Sequence, residues 1–329
     1  MPTNVPPDLQ AALNDLAQGK SRRELMQRAE AISQRYRSGA PSREAIRSAD
    51  DALAYAYTRL PATYAATSSA LATLHLTRLD FGPRSLIDAG AGPGTAAFAA
   101  AGQFAALGTI RLVDDHAHLR ALGRALMARS TAAPLREATY DEGDLADSAK
   151  GTGADLVIAS YAVGELPPGA FLRAVESLWA ATRDTLVVVE PGTPAGFARI
   201  RALRAHLIAQ GAHAIVPCPH DHPCPIVDPD WCHFSQRLPR SRDHRQVKGA
   251  TLSFEDEKFS YVALAREQQL AVGARVLAHP RVGKGSVSAK LCMPAGIVTA
   301  TASRRERARY AAAKRWRWGD WVAWPQTPP

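Results

Sequence analysis

The chain has 329 residues, 46% of them hydrophobic, with 23 glycines and 23 prolines, and so can bury the core of one large or two ordinary domains. Its net charge of +9 is uneven: residues 1–200 hold 20 Lys and Arg against 21 Asp and Glu, and residues 201–329 hold 20 against 10. The basic second part suits a polyanion such as nucleic acid or a merely solvated surface, and four cysteines in a chain of this length, in a reducing compartment, do not suggest a disulfide framework.

The opening MPTNVPPDLQ lacks the basic-then-apolar order of a secretory signal, and Asp8 and Asp15 count against an acid-poor transit peptide, so a cytoplasmic protein is expected. Residues 1–80 read as an N-terminal helical region. Ser21 to Glu24 has capping-box spacing, Gly39 and Pro41 form a stop, and "SADD" from Ser48 opens a further helix that should break near Pro61. Leu53, Tyr57 and Leu60 recur at helical spacing, so this region should pack on the segment C-terminal to it.

From residue 85 short apolar runs alternate with helical segments: "SLIDAG", "TIRLVDD", "ADLVIASYA" and "DTLVVVEPG". Runs of this kind are parallel strands buried on both faces, which implies a doubly wound sheet over residues 81–210. The stretch Ala89 to Ile110 carries no charge for 22 residues, but Pro93, Gln103 and many small residues make it a poor membrane helix. Residues 211–329 form the third region. Its segment 211–250 has too many prolines and charges for a regular element, and "FSYVALAR", "GSVSAKLCM" and "GIVTATAS" read as late strands, either an antiparallel end to the sheet or an appended β unit.

In "LIDAGAGPGTAAFAA" the acidic Asp88 ends a strand and Gly90, Gly92 and Gly94 lead into a helix. The spacing is G-x-G-x-G rather than the dinucleotide G-x-G-x-x-G, so the loop resembles the S-adenosylmethionine site of class I methyltransferases, whose ligand has no diphosphate. Asp114 ends the next strand 20 residues after Gly94, where an acid can accept ribose hydroxyls, Asp144 falls where such enzymes place a residue beside the adenine, and "SYAVGEL" should line the pocket. Each aspartate alone could be a turn or cap residue. No acceptor-side Asn/Asp-Pro-Pro-aromatic tetrapeptide is present. Glu165 and Glu190 are the only acids expected near the ligand edge, as general bases or as hydrogen-bonding residues, so the catalytic residue stays unknown.

Three of the four cysteines crowd into "CPHDHPCPIVDPDWCHF". Cys218, Cys224 and Cys232 are spaced C-x5-C-x7-C, and Cys292 follows after 59 intervening residues. These gaps are wider than zinc knuckles and suit a [4Fe-4S] cluster, while His220, His222 and His233 leave Cys3His zinc equally open, with Cys292 then a buried core residue. At the C-terminus, Arg304, Arg305, Arg307, Arg309, Lys314, Arg315 and Arg317 stand against a single Glu306 among interleaved tryptophans. Arginine neutralises phosphate and tryptophan stacks on bases, so Arg304, Arg305, Lys314, Arg315 and Arg317 are candidate RNA contacts, whereas Trp316 and Trp318 could equally anchor the tail. "RLPRSRDHRQVK" at 237–248 is a second basic stretch.

"PCPHDHPCPIVDPDWCHFSQR", "FSYVALAR", the "LC" of Cys292 and the downstream "KRWRWGD", with "DAGAGPGTA" and "VVVEPGTPAGF", together resemble the methyltransferase-like proteins of the mitochondrial ribosomal small subunit, the Rsm22 family, and their bacterial relatives. The resemblance covers most of residues 50–320. It implies an α/β class I methyltransferase-type, Rossmann-like sheet with an inserted metal-cluster loop, a [4Fe-4S] cluster on Cys218, Cys224, Cys232 and Cys292, and contact with small-subunit ribosomal RNA. It leaves two functions: S-adenosylmethionine-dependent rRNA methylation, or a non-catalytic RNA-binding role in 30S assembly for the translation apparatus. A bacterial, cytoplasmic, monomeric member without membrane attachment is expected.

Overall fold

The computed structural model describes residues 4–38, 41–148, 150–167, 169–240, 245, 251–268 and 273–324. Four helices come first: α1 (Pro7–Leu16), α2 (Arg22–Arg37), α3 (Ser42–Ala45) and α4 (Ala49–Thr77). Ser21 caps α2 by position only, since its side chain makes no capping bond, so the box read from its spacing is not formed. The Gly39 of the expected stop lies outside the described residues. Ser48 does cap α4, its hydroxyl accepting from the Asp51 amide at 3.1 Å.

The expected break at Pro61 does not occur, and α4 runs through it for 29 residues. A proline removes one ladder bond and crowds the preceding turn. Here that cost is offset by burial on almost every side, with Leu53, Tyr57, Leu60, Tyr64, Leu71 and Leu74 all in the core. The hydroxyls of Thr58 and Thr63 also donate to the carbonyls of Ala54 and Arg59, bonding the turns on either side of the proline.

The alternating segment comprises β1 (Ser85–Ala89), α5 (Thr95–Gln103), β2 (Thr109–Asp114), α6 (Ala117–Met127), α7 (Ala133–Arg136), β3 (Thr139–Glu142), β4 (Ala154–Ser160), α8 (Phe171–Ala181), β5 (Thr182–Pro191) and α9 (Pro194–Ala209). After it come β6 (His213–Val216), β7 (Phe234–Pro239) and β8 (Phe254–Ala265). The main sheet has the order β3-β2-β1-β4-β5-β8-β6, with β7 also on β8. Strands β1 to β5 pair in parallel and β8 enters antiparallel, as expected of one of the two arrangements of the late strands. Both faces are covered: α4, α5 and α6 pack on one, α8 and α9 on the other, and Leu156 to Ala159 and Leu186 to Val189 are wholly inaccessible between them.

The cysteine-bearing segment is more regular than its prolines suggest. Strands β6 and β7 lie end to end along one edge of β8, Val216 opposite Ala263 and Phe234 opposite Phe259. Loop 217–233 is therefore an excursion from a sheet edge, both of its roots held by β8. A second sheet comes next, built from β9 (Ala274–Val276), β10 (Arg281–Val282), β11 (Ser286–Met293), β12 (Gly296–Ser303) and β13 (Trp321–Val322), with α10 (Arg307–Ala313) packed on it. Strands β11 and β12 form the expected hairpin, over a small core of Val276, Leu291, Met293 and Val322.

Candidate functional site

The glycine loop lies beyond the C-terminal ends of β1 and β2, where a doubly wound sheet leaves a crevice. Gly90, Gly92 and Gly94 have φ of +67°, +54° and +82°, a region that side chains with a Cβ enter only at a cost. Gly90 also has no room, since an added Cβ would lie 2.5 Å from Ala162 Cβ; at Gly94 it would lie 2.3 Å from Met127 Cε, the movable end of a long side chain. The loop borders a cavity of about 740 Å³, a size suited to a small-molecule cofactor.

Every cofactor-binding residue named from the sequence is in or beside this cavity, and Asp88, Asp114 and Asp144 all line it. Asp88 is 1% exposed, and its carboxylate accepts the Ala97 amide at 2.9 Å. Burial pushes its pKa up to about 7, against the lowering effect of that bond. Asp114 accepts the amides of Gly92 at 2.7 Å and His116 at 2.8 Å, which ties the glycine loop to the end of β2. Burial raises its carboxyl as well, and its remaining lone pairs can accept hydroxyls from a ligand. Asp144 caps a short 3-10 turn, Leu145–Asp147, through the Ala146 amide at 2.7 Å, and the Asp147 carboxylate returns the bond to the Asp144 amide at 3.2 Å.

"SYAVGEL" lines the other wall. Ser160 shares a 2.8 Å hydrogen bond with Thr67 of α4, and Tyr161, at φ +57°, donates its hydroxyl to Glu257 at 2.9 Å. Glu165 faces the cavity, and burial by the surrounding walls raises its carboxyl. Glu190 sits behind Gly164 with no exposed surface, paired with Arg199 at 2.7 Å. Burial raises its carboxyl and Arg199 opposes this. They are not the only acids at this edge: Asp115 and Glu44 line the cavity too.

No pattern in the sequence signals that the N-terminal helices roof the cavity. The Ser42 amide donates to Glu165 at 3.2 Å, Arg43 pairs with Asp115, and Tyr36 shares a 2.6 Å bond with the Ser42 hydroxyl. Tyr55, from α4, completes this end, its hydroxyl pushed up to about 12 by burial. The contacts of Ser42 and Arg43 join residues far apart in the chain, which no local pattern encodes.

The four cysteines converge from two places. Cys218 lies two residues after β6, Cys232 precedes β7 by two, Cys224 lies in the loop between them, and Cys292 comes from β11 of the second sheet. Burial is the main cause raising the thiols of Cys218, Cys232 and Cys292, the last to about 12, and mutual repulsion adds to it: Cys232 feels the other three, Cys292 feels Cys218 and Cys224, and Cys218 feels Cys224. Sulfur donors gathered in this way, with His220 Nε2 at 3.9 Å from Cys292 Sγ, fit a thiophilic metal group chemically. His233 is stacked on Trp231, with ring centroids 5.0 Å apart. Among the described residues no group of three or more His, Cys, Asp or Glu side chains is arranged to hold a metal ion, so the expected metal centre is not present as a finished coordination shell.

In the tail, Arg304, Arg305, Lys314, Arg315 and Arg317 are exposed, and among the described residues none of their side chains pairs with a carboxylate. The tryptophans do the anchoring. Trp316 packs on the second sheet's core, and Trp318 joins the main core between His233 and His279, at 4.9 and 5.2 Å. Most of the basic stretch 237–248 lies outside the described residues; of the rest, Arg237 pairs with Asp256 and Arg240 with Glu255, both at 2.8 Å. No described helix is long and apolar enough to cross a membrane.

Residues 49–325 match a family model described as "Mitochondrial small ribosomal subunit Rsm22". The human protein "Ribosome assembly protein METTL17, mitochondrial" is 30% identical over 294 residues, covering 82% of this chain and 61% of that protein. "Rsm22-cox11 tandem protein 2, mitochondrial" of Schizosaccharomyces pombe is 28% identical over 246 residues, 65% of this chain and 32% of its own length. The chain thus spans less than two thirds of these relatives. Among solved structures, magnesium protoporphyrin IX methyltransferase of Synechocystis PCC 6803 with bound SAM aligns at 13% identity and a TM-score of 0.40, covering 67% of this chain and 84% of that one. Precorrin-6y C5,15-methyltransferase of Geobacter metallireducens aligns at 12% and 0.39, covering 60% and 86%.

Proposed function

The chain belongs to the Rsm22 family, and on that footing we propose that it is an S-adenosylmethionine-binding, methyltransferase-like protein that acts on the small ribosomal subunit, in rRNA methylation or in 30S assembly. The observation that carries the proposal is the 740 Å³ cavity at the ends of β1, β2 and β4, with its glycine loop and three aspartates. Asp114 offers free lone pairs to ribose hydroxyls, Asp144 and Leu145 border the adenine side, and Asp88 places a carboxylate near a cationic ligand. Bound there, S-adenosylmethionine supplies an electrophilic methyl group.

Cys218, Cys224, Cys232 and Cys292 are proposed to hold a [4Fe-4S] cluster, with zinc as the alternative metal; its role is to fix the second sheet to the first. The exposed arginines of the tail then face RNA, in a cytoplasmic, monomeric protein divided at about residues 80 and 210.

A second reading, that the protein binds RNA and assembles subunits without catalysis, has its own support. Tyr161 comes directly after β4, where the acceptor tetrapeptide of base-amino methyltransferases would lie, and its hydroxyl is committed to Glu257, while Glu165 is committed to Ser42. Gly92→Arg separates the two, because φ there is strained but the space beyond is the cavity. Methyl transfer from labelled cofactor to immature 30S subunits, lost in the variant together with cellular function, supports the enzyme. A folded variant that still supports assembly, with no transfer by either protein, supports the assembly factor and refutes the enzyme.

A further inference from the structure

The four thiols have two buried cations beside them. Arg275 is 1% exposed and is the largest fully buried side chain described. It lies on β9 directly opposite Cys292 of β11, so the two side chains share one face of the second sheet. Its Nε donates to the carbonyl of Pro217, the residue before Cys218, at 3.1 Å, Nη1 donates to Gly319, and the guanidinium lies 4.0 Å over the ring of Trp321. Its Nη2 has no partner among the described residues.

Arg204 reaches the same place from α9. It is 3% exposed, its Nη2 donates to the carbonyl of His220, and its Nε has no partner among the described residues. Neither arginine forms an ion pair with a carboxylate among the described residues. Asp320 acts on Arg275 only from a distance, its own carboxylate accepting the Arg317 amide at 2.7 Å.

A buried guanidinium without a counter-charge is strongly unfavourable, and neutral carbonyls, an indole face and neutral thiols do not balance it. Four ligating thiolates do. On a divalent zinc, or on a cluster core bearing two positive charges, they leave two negative charges, whereas a Cys3His zinc site leaves one. Resting on the metal reading of the cysteines, we propose that Arg204 and Arg275 are the paired counter-cations of a four-thiolate site, one from each sheet unit, and hold its two negative charges in place. All four cysteines are then ligands, and the group stays bound because its charge is balanced inside the protein.

The test uses the full chain purified without oxygen, with Arg275→Gln, Arg275→Lys, Arg204→Gln and Arg204→Lys made singly. Metal and sulfide content, midpoint potential by spectroelectrochemistry and half-life in excess chelator are measured on each. Each glutamine variant should disfavour the reduced cluster about tenfold, a fall of about 59 mV for a one-electron couple, and shorten the chelator half-life several-fold. The lysine variants, which keep the charge and lose the fork, should stay close to wild type. A zinc-loaded protein is judged by the chelator half-life alone. Glutamine variants indistinguishable from wild type overturn the proposal, as do lysine variants as labile as glutamine ones, because shape and not charge would then be at work. A wild-type protein with no metal after anaerobic reconstitution removes the metal reading itself, and the proposal with it.

Discussion

Gly90→Ala isolates what the glycine loop requires. Three described glycines with positive φ differ in what an added Cβ meets: nothing within 4 Å at Gly19 (φ +77°), Leu119 at 3.9 Å at Gly92, and Ala162 Cβ at 2.5 Å with Leu145 Cδ1 at 3.0 Å at Gly90. Placing alanine in the left-handed region costs about 1–2 kcal/mol, partly offset by about 0.4–1 kcal/mol from a less flexible unfolded chain. Both terms are common to the three sites and cancel in the comparison. Gly90 alone adds overpacking of about 1–3 kcal/mol, because Ala162 is buried behind β4 and cannot swing aside as the end of a long side chain could. Urea unfolding should therefore place Gly19→Ala and Gly92→Ala within about 0.5 kcal/mol of each other and Gly90→Ala about 1–3 kcal/mol below both. Calorimetry should also find S-adenosylmethionine binding weakened in Gly90→Ala, since Ala162 is part of the cavity wall. Equal stability of the Gly90 and Gly19 variants would refute the reasoning, because the loop would then be free to shift.

Asp88, with its pKa raised to about 7 by burial, binds a proton in the folded state between about pH 4 and pH 7 that the unfolded chain has released. The stability it contributes is full below about pH 4 and is lost as pH rises through 7, so the protein should lose about 1.4 kcal/mol between pH 6 and pH 8 from this group, and Asp88→Asn, compared by urea unfolding at both values, should lose that much less. Arg199→Met strands the fully buried Glu190 and should cost about 2–4 kcal/mol, less than in a fully buried pair because Arg199 is partly in water; adding Glu190→Gln should recover most of the loss in thermal melts. Replacing Arg304, Arg305, Arg315 and Arg317 by alanine should weaken RNA binding and reduce the slope of log affinity against log salt by up to about 3, and an unchanged slope removes the tail from the RNA interface.

The parallel strands were legible because burial on both faces leaves unbroken apolar runs, and the glycine loop because its three glycines take positive φ. β3 escaped notice: only Tyr140 of its four residues is buried, so it lacks both a run and an alternation. β6 and β7 were hidden by the prolines between them, which in fact sit in the excursion and leave the edge of β8 free for pairing. Pro61 misled in the opposite direction, since its local cost is small beside the burial of α4. The positions of Asp88, Asp114 and Asp144 at the cavity were readable from their places after strands, whereas the contacts of Ser42 and Arg43 depend on tertiary packing alone. Arg275, within "GARVL", looks like any strand arginine until the pairing with β11 sets it opposite Cys292.

The outermost fastening of the roof over the cavity is weak. Arg43 and Asp115 are 76% and 41% exposed, and exposed ion pairs contribute only about 0.2–1 kcal/mol. The rest of the roof is held more firmly: both the amide and the hydroxyl of Ser42 bond Glu165, His116 Nε2 shares a 3.0 Å bond with the Ile46 carbonyl, and Ala45 and Ile46 are buried in the main core. Tyr36, Ser42 and Arg43 border the cavity, so one side of the enclosure around any molecule held there is supplied by helices remote in the chain from the glycine loop.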